Sequence, residues 1–321
     1  MTDAARMRYL SVCSGIEAAT VAWHPLGWEP AAFSEIEAFP RAVLTHHYPT
    51  VPLHGDFTTI EGHEYGAIDV LVGGTPCQDF SVAGLRAGIA GDRGNLTLEF
   101  LRLAARTKPR WIVWENVPGV LSSDEGRALG AFLGGLAELG YGFGYRVLDA
   151  QYFNLAQRRA RIFVVGYLGD WRRAAAVLFE RESLQGHPAP RREAGKTAPT
   201  IPSRSTGGGG LGTDFDCDGG LIAATQNQCG EVRAGDVFNT LNTNSNASGR
   251  NTPLLQASSA VRRLTPEECE ALQGFPRGYT FVPYRGKPAA DGPRYKALGN
   301  SMAVPCMRWL GERIQMVEAL T

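Results

Sequence analysis

The chain lacks the marks of several large protein classes. It has no Cys-x-x-Cys pair; its six cysteines (Cys13, Cys77, Cys217, Cys229, Cys269, Cys306) are scattered. That spacing argues against a zinc site and a disulfide framework, and fits a reducing cytoplasm. No apolar run approaches the ~20 residues needed to span a bilayer, and the first residues show no signal-peptide pattern. Charge of neither sign is in excess: Lys+Arg 32 balance Asp+Glu 32. A nucleic-acid partner would therefore need its arginines gathered on one face, because no bulk basic footprint exists. A full G-x-G-x-x-G is missing as well, which disfavours a dinucleotide. At 321 residues the chain can bury a large core and hold two domains.

Short β-prone runs alternate with helix-like runs. Residues 8–12, 30–34, 68–72, 111–115, 145–149 and 161–167 read as strands. Residues 15–22 read as a turn entering a helix, and 38–47, 95–107 and 126–139 as helices. This alternation predicts an α/β, Rossmann-like fold with a doubly wound, mostly parallel sheet. From residue 185 to 259 the composition shifts to Gly, Asn, Thr and Ser. That stretch reads as a linker or as a small domain of short strands; interspersed apolar residues such as Leu221, Ile222, Val232 and Leu254 favour the second. Thr265, Pro266 and Glu268 then offer an N-cap, a first-turn proline and a capping box. A last helix is expected over about 303–319.

Residues 73–81 read Gly-Gly-Thr-Pro-Cys-Gln-Asp-Phe-Ser, directly after an expected strand. Cys77 then sits at a strand's C-terminal end, where open α/β sheets place their chemistry. The two glycines permit a tight turn and Pro76 fixes its own backbone angle. A thiol so held suits covalent catalysis; the ordinary alternative for a lone cysteine is a small buried hydrophobe. Residues 11–17, Ser-Val-Cys-Ser-Gly-Ile-Glu, put a glycine turn between strand and helix, the place of a nucleotide-like ligand. Glu35 ends the second strand and suits ribose hydroxyls. Asp56 suits an adenine amino group. Glu115, in Trp114-Glu115-Asn116-Val117, is expected to project from the same sheet edge as Cys77, giving a nucleophile and a general acid. Arg159 and Arg161 share a face if their segment is extended, and suit phosphate or a base carbonyl. Solvated acids and a basic strand edge are the plainer alternatives.

In this order the motifs resemble the cytosine-5 DNA methyltransferases along nearly the whole chain, residues 185–259 apart. The likeness rests on Ser14-Gly15, the 73–81 loop, Trp114-Glu115-Asn116-Val117, Gln157-Arg158-Arg159-Ala160-Arg161, Leu272-Gln273-Gly274-Phe275-Pro276 and Gly299-Asn300-Ser301. It implies an enzyme using S-adenosylmethionine on double-stranded DNA, with no metal and no membrane. It further implies a monomer in a bacterial or phage-infected cytoplasm, associated with the nucleoid. Cys77 would add to carbon 6 of a cytosine flipped out of the duplex, a displacement costing a few kcal/mol. Glu115 would protonate or hydrogen-bond ring nitrogen 3, and Arg161 with Arg159 would hold the base carbonyl or the thiolate. The resemblance implies cofactor contacts at Cys13, Ser14, Gly15, Ile16, Glu35, Ile36, Asp56, Phe57, Gly74, Pro76, Asn300 and Ser301. It implies DNA contacts at Gln78, Ser81, Arg86 and Arg93 in a mobile loop, and at Arg204, Arg233 and Arg250 in a target-recognition region. The domains then run 1–180 for catalysis and cofactor binding, completed by 290–321, and 181–289 for target recognition.

Some positions depart from that family pattern. Cys13 stands where phenylalanine is usual, Glu17 where glycine is usual, and Ile36 where a large aromatic is usual. These bear on the affinity for the methyl donor and on its identity, whereas Asn300 matches and favours the ordinary donor. The related tRNA methyltransferases are a rival reading, against which the long insert argues. A non-catalytic binding homologue is expected to have lost Cys77 or Glu115, and both are present.

Overall fold

Val70–Gly73 and Trp111–Asn116 bury every residue, and most of their side chains are apolar. Strands covered by helices on both faces must read this way. The computed structural model of the chain describes residues 6–76, 96–180, 222–226, 232–235, 253–257 and 260–320. Strands β1 (Arg8–Val12), β2 (Glu29–Ser34), β3 (Leu53–His54), β4 (Val70–Gly73), β5 (Trp111–Asn116), β6 (Tyr141–Asp149) and β7 (Ala160–Leu168) form one sheet. Its order is β3-β2-β1-β4-β5-β7-β6. The pairs from β3 to β5 are parallel, and β5 and β7 run antiparallel. The chain winds outward from β1 through β2 to β3, then returns to β4 on the other side of β1. The winding reverses between β1 and β4, and such a switch point is where open sheets bind their ligands.

In chain order the helices among the described residues are α1 (Ala18–Trp23), α2 (Ala38–His47), α3 (Leu96–Thr107), α4 (Arg127–Glu138), α5 (Trp171–Leu178), α6 (Pro266–Gln273), α7 (Asp291–Asn300) and α8 (Val304–Glu318). Alternation along β1 serves two helical layers. Leu10 and Val12 join Leu71, Ile112, Trp114, Phe100 and Phe132 in one core. Tyr9 meets Trp23 edge-on, ring centroids 5.1 Å apart. Trp23 Nε1 donates to the Met307 carbonyl at 2.7 Å. A Cβ at Gly311 would sit 2.5 Å from Trp23 Cδ1, so α1 and α8 approach over a glycine.

Two compact units result: Met1–Leu148 with Ala160–Pro188 and Met302–Thr321, and Asp149–Arg159 with Ala189–Ser301. By contacts, the return to the first unit falls at Met302, and Asp149–Arg159 groups with the second unit. In that unit β8 (Ile222–Gln226), β9 (Val232–Gly235), β10 (Pro253–Ala257) and β11 (Ala260–Arg263) form an antiparallel sheet ordered β11-β10-β8-β9. The Gly- and Asn-rich stretch therefore does contribute strands. α6 carries the expected capping box: Glu268 N–H donates to Thr265 Oγ1 at 3.3 Å, and Thr265 N–H to Glu268 Oε2 at 2.8 Å. Buried Arg294 reaches Glu267 at 2.6 Å and Glu270 at 3.2 Å. Glu270 also accepts the Thr280 N–H at 2.8 Å.

Candidate active site

The turn between β1 and α1 holds three residues in the left-handed region: Cys13 (φ 49), Gly15 (φ 56) and Glu17 (φ 65). Hydrogen bonds set this unusual path. Ser14 N–H donates to the Ser34 carbonyl at 3.0 Å, and Ser34 N–H donates back to Ser14 Oγ at 3.1 Å. Gly15 N–H donates to Glu35 Oε2 at 2.8 Å, while Glu35 Oε1 accepts the Glu37 N–H at 2.8 Å. Each carboxylate oxygen keeps further acceptor capacity. A Cβ on Gly15 would meet nothing within 4 Å, so the turn's main chain is open to a ligand. Asp56 is exposed, and its Oδ1 caps the next turn by accepting the Thr58 N–H at 3.0 Å. Ile36 is 72% exposed, whereas Ile16 and Phe57 are core residues that can offer a ligand only their main chain.

Sequence reasoning misses the brace behind these acids. Arg41 Nη1, from α2, donates to the carbonyls of both Glu35 and His54 at 2.7 Å. It ties together the ends of β2 and β3 that lead to Glu35 and Asp56. No sequence pattern signals this, because carbonyl acceptors leave no trace in side-chain identity.

At the end of β4, Gly74, Thr75 and Pro76 lead into Cys77, which lies outside the described residues. Thr75 is held on three sides. Asn116 Nδ2 donates to its carbonyl at 2.9 Å, Trp114 Nε1 donates to its Oγ1 at 3.1 Å, and Thr97 Oγ1 lies 3.0 Å away. A Cβ on Gly74 would fall 3.0 Å from Glu115 Oε2, so only glycine lets the carboxyl approach so closely. Arg161 Nε stands 3.2 Å from Glu115 Oε1, with both side chains largely buried.

Arg159 has a different setting from Arg161. It is 2% exposed in the second unit, and its Nη2 donates to the carbonyls of Gly299 at 3.1 Å and Ser301 at 2.6 Å. The guanidinium fastens the Gln157–Arg159 segment to the Gly299-Asn300-Ser301 motif. Asn300 is exposed at the end of α7, and Ser301 is buried. Gln78, Ser81, Arg86, Arg93, Arg204 and Arg250 lie outside the described residues, and Arg233 is placed only along the backbone of β9. Burial pushes the Cys269 thiol up to about 12, which makes it unreactive at neutral pH. No group of three or more His, Cys, Asp or Glu is placed to hold a metal among the described residues.

The profile of the C-5 cytosine-specific DNA methylases matches residues 7–316. The chain belongs to that family. It is 30% identical to the Type II methyltransferase M2.BsuMI of Bacillus subtilis, over 96% of this chain and 75% of that one. It is 35% identical to a DNA N-6-adenine-methyltransferase of Escherichia phage P1, over 95% of this chain but 61% of the phage protein. Among solved structures it is similar in fold to a mutant of Spodoptera frugiperda DNMT2 (TM-score 0.66, 16% identity, covering 96% of this chain and 99% of that one). S. pombe Dnmt2 is similar too (TM-score 0.64, 16% identity, covering 98% and 100%). Within a C-5 cytosine methylase, the Glu115–Arg161 pair, the braced Thr75 and the open Gly15 turn are the parts from which a site can be assembled. No helix among the described residues is long and apolar enough to cross a membrane.

Proposed function

We propose that the chain transfers methyl groups from S-adenosylmethionine to carbon 5 of cytosine in duplex DNA. One observation carries the reading: the Glu115 carboxyl is packed against Gly74, three residues before Cys77, and paired with Arg161 at 3.2 Å. Cytosine carbon 5 is a poor nucleophile. A Cys77 thiolate bonding to carbon 6 moves electron density to carbon 5 and nitrogen 3, which divides one hard displacement into easier steps. Glu115 meets the charge at nitrogen 3 with a proton or hydrogen bond. Arg161 holds the neighbouring carbonyl, and Arg159 anchors the main chain of Gly299 and Ser301. S-adenosylmethionine supplies an electrophilic methyl group when bound. Once carbon 5 is methylated, solvent water takes the carbon-5 proton, the electron pair left behind re-forms the 5,6 double bond, and the carbon 6–sulfur bond breaks to release Cys77 as thiolate. The target base must leave the stack before any of this can occur.

The donor fits the first unit's residues. Glu35 has spare acceptors for ribose hydroxyls, Asp56 can accept from an adenine amino group, and exposed Ile36 offers an apolar surface to the ring. The main chain around Cys13, Ser14 and Gly15 can approach the remainder, with Gly74 and Pro76 alongside. Asn300 and Ser301 are assigned to the donor by the family likeness. DNA contacts are assigned to Gln78, Ser81, Arg86, Arg93, Arg204, Arg233 and Arg250.

The phage relative's name supports a second reading, methylation of adenine N6. An exocyclic amine attacks with its own lone pair and needs no thiol, so Pro76-Cys77 and Glu115 favour cytosine. The test is transfer of labelled methyl to duplex DNA and to tRNA, followed by nucleoside analysis. 5-Methylcytosine in DNA, absent with Cys77→Ala, is expected; labelled adenine, labelled tRNA or an active Cys77→Ala variant contradicts the proposal.

A further inference from the structure

Glu17 is a buried acid with no part in the chemistry above. It is 1% exposed, yet it sits at φ 65, a backbone region that favours glycine. Its side chain folds beneath the turn. Tyr9 and Ser11 are two apart on β1 and so face α1 together. The Ser11 hydroxyl donates to Glu17 Oε1. The Thr20 N–H donates to Oε2 at 2.9 Å, as does the Thr20 hydroxyl at 2.5 Å. Tyr9 Oη closes the set, 2.6 Å from Thr20 Oγ1. All four residues are buried, and among the described residues no cation contributes. Burial pushes the Glu17 carboxyl up, against the pull of these hydrogen bonds.

A glycine at this position would satisfy the backbone without strain. The carboxyl adds a clasp that glycine cannot make. Glu17 N–H also donates to the Ser14 carbonyl at 3.0 Å. Ser14 in turn exchanges hydrogen bonds with Ser34, and Gly15 N–H reaches Glu35. One connected network thus runs from a buried acid to the acid assigned to the ribose, within residues 9–35 of the first unit.

We propose that Glu17 is a positioning residue for the donor-binding turn, holding residues 13–17 on β1 and α1 so that Gly15 and Glu35 are set before the donor arrives. Pre-organisation of this kind strengthens binding by removing an ordering cost. The inference rests on the reading that this turn holds the methyl donor. It predicts a change in donor affinity with little change in the methyl-transfer rate once donor is saturating.

The test is titration of S-adenosylhomocysteine into the full chain, with single-turnover methyl transfer at saturating donor. Glu17→Gly is expected to weaken binding by about tenfold or more while its saturated rate stays within about threefold. Glu17→Gln keeps a neutral clasp and is expected to bind within about threefold of the parent. Ser11→Ala removes one arm from outside the turn and is expected to weaken binding less than Glu17→Gly. Glu17→Gly binding like the parent, or losing saturated rate at unchanged affinity, overturns the proposal alone. A parent that does not bind overturns the donor-site reading and the proposal with it. If Glu17→Gly does not fold, unchanged affinity in Ser11→Ala overturns the proposal.

Discussion

Arg161 Nε approaches Glu115 Oε1 to 3.2 Å at the ends of two antiparallel strands, β7 and β5. A guanidinium and a carboxyl that share so dry a space form one unit, and removing either takes a close counter-charge from the other. Arg161→Ala is expected to lower the methyl-transfer rate by about 10²-fold with donor affinity unchanged. Arg161→Lys should recover little of it, since an ammonium lacks the planar fork. A loss below about threefold in single-turnover assays would remove Arg161 from the site.

Glu115→Gln keeps the shape of the side chain and removes its proton. It is expected to lower the rate by about 10²- to 10⁴-fold. Trapping on duplex DNA with 5-fluorocytosine should give a covalent adduct at Cys77 in the parent and a slower one in this variant. Equal trapping rates would show that Glu115 takes no part in the thiolate step.

Gly74→Ala tests the packing beside the carboxyl. The new Cβ would lie 3.0 Å from Glu115 Oε2, 3.3 Å from the Glu115 carbonyl oxygen and 3.5 Å from Met302 Cε. The carboxyl is the end of a side chain and can shift, whereas the carbonyl belongs to β5 and must give by a small displacement of main chain. The expected result is a lower kcat with a modest fall in Tm; unaltered kcat would mean that the site tolerates displacement of Glu115.

Stability should carry the signature of Glu17. Its carboxyl is raised from the usual 4.5 by burial, so the folded chain holds that proton more tightly than the unfolded one. The associated stability is complete below about pH 4.5 and is lost as pH rises through the folded value. Tyr9 is pushed well up and stays protonated across this range. Glu17→Gln cannot ionise, so its Tm should gain on the parent as pH rises above about 4.5, where the parent's carboxyl begins to lose the advantage of its raised folded value. A difference that stays flat with pH would contradict the buried acid.

In the second unit, Arg294→Met would strand Glu270, which is 0% exposed. Breaking a buried pair from one side costs about 3–5 kcal/mol. Glu270→Gln combined with Arg294→Met should restore part of that loss. Denaturant unfolding with a probe in this unit would decide, and a loss under about 1 kcal/mol would place the pair among ordinary surface bridges.

Much of the fold is legible in the residues themselves. β1 and α2 fall where periodicity places them, and the capping box of Thr265 forms as its spacing implies. β3 escapes such a reading because two residues carry no period, and α5 because Trp171, 60% exposed, sits at its start beside two arginines. Arg159 and Arg161 illustrate the limit of a spacing rule. Alternation holds inside a strand, but β7 begins at Ala160, and Arg159 turns to carbonyls of Gly299 and Ser301. Glu17 is visible in the sequence as a departure from the family pattern; its partners are not, since they depend on which face of β1 meets α1.

The Trp23–Met307 hydrogen bond has a consequence for synthesis on the ribosome. Val304–Glu318 is translated long after the strands it covers, so the helix layer over Trp23 stays open until that segment has left the exit tunnel. Contacts this distant in sequence close late and slowly. A nascent chain therefore leaves the Trp23 face of α1 uncovered for most of its elongation, and a chaperone that binds aromatic surface has its longest opportunity there.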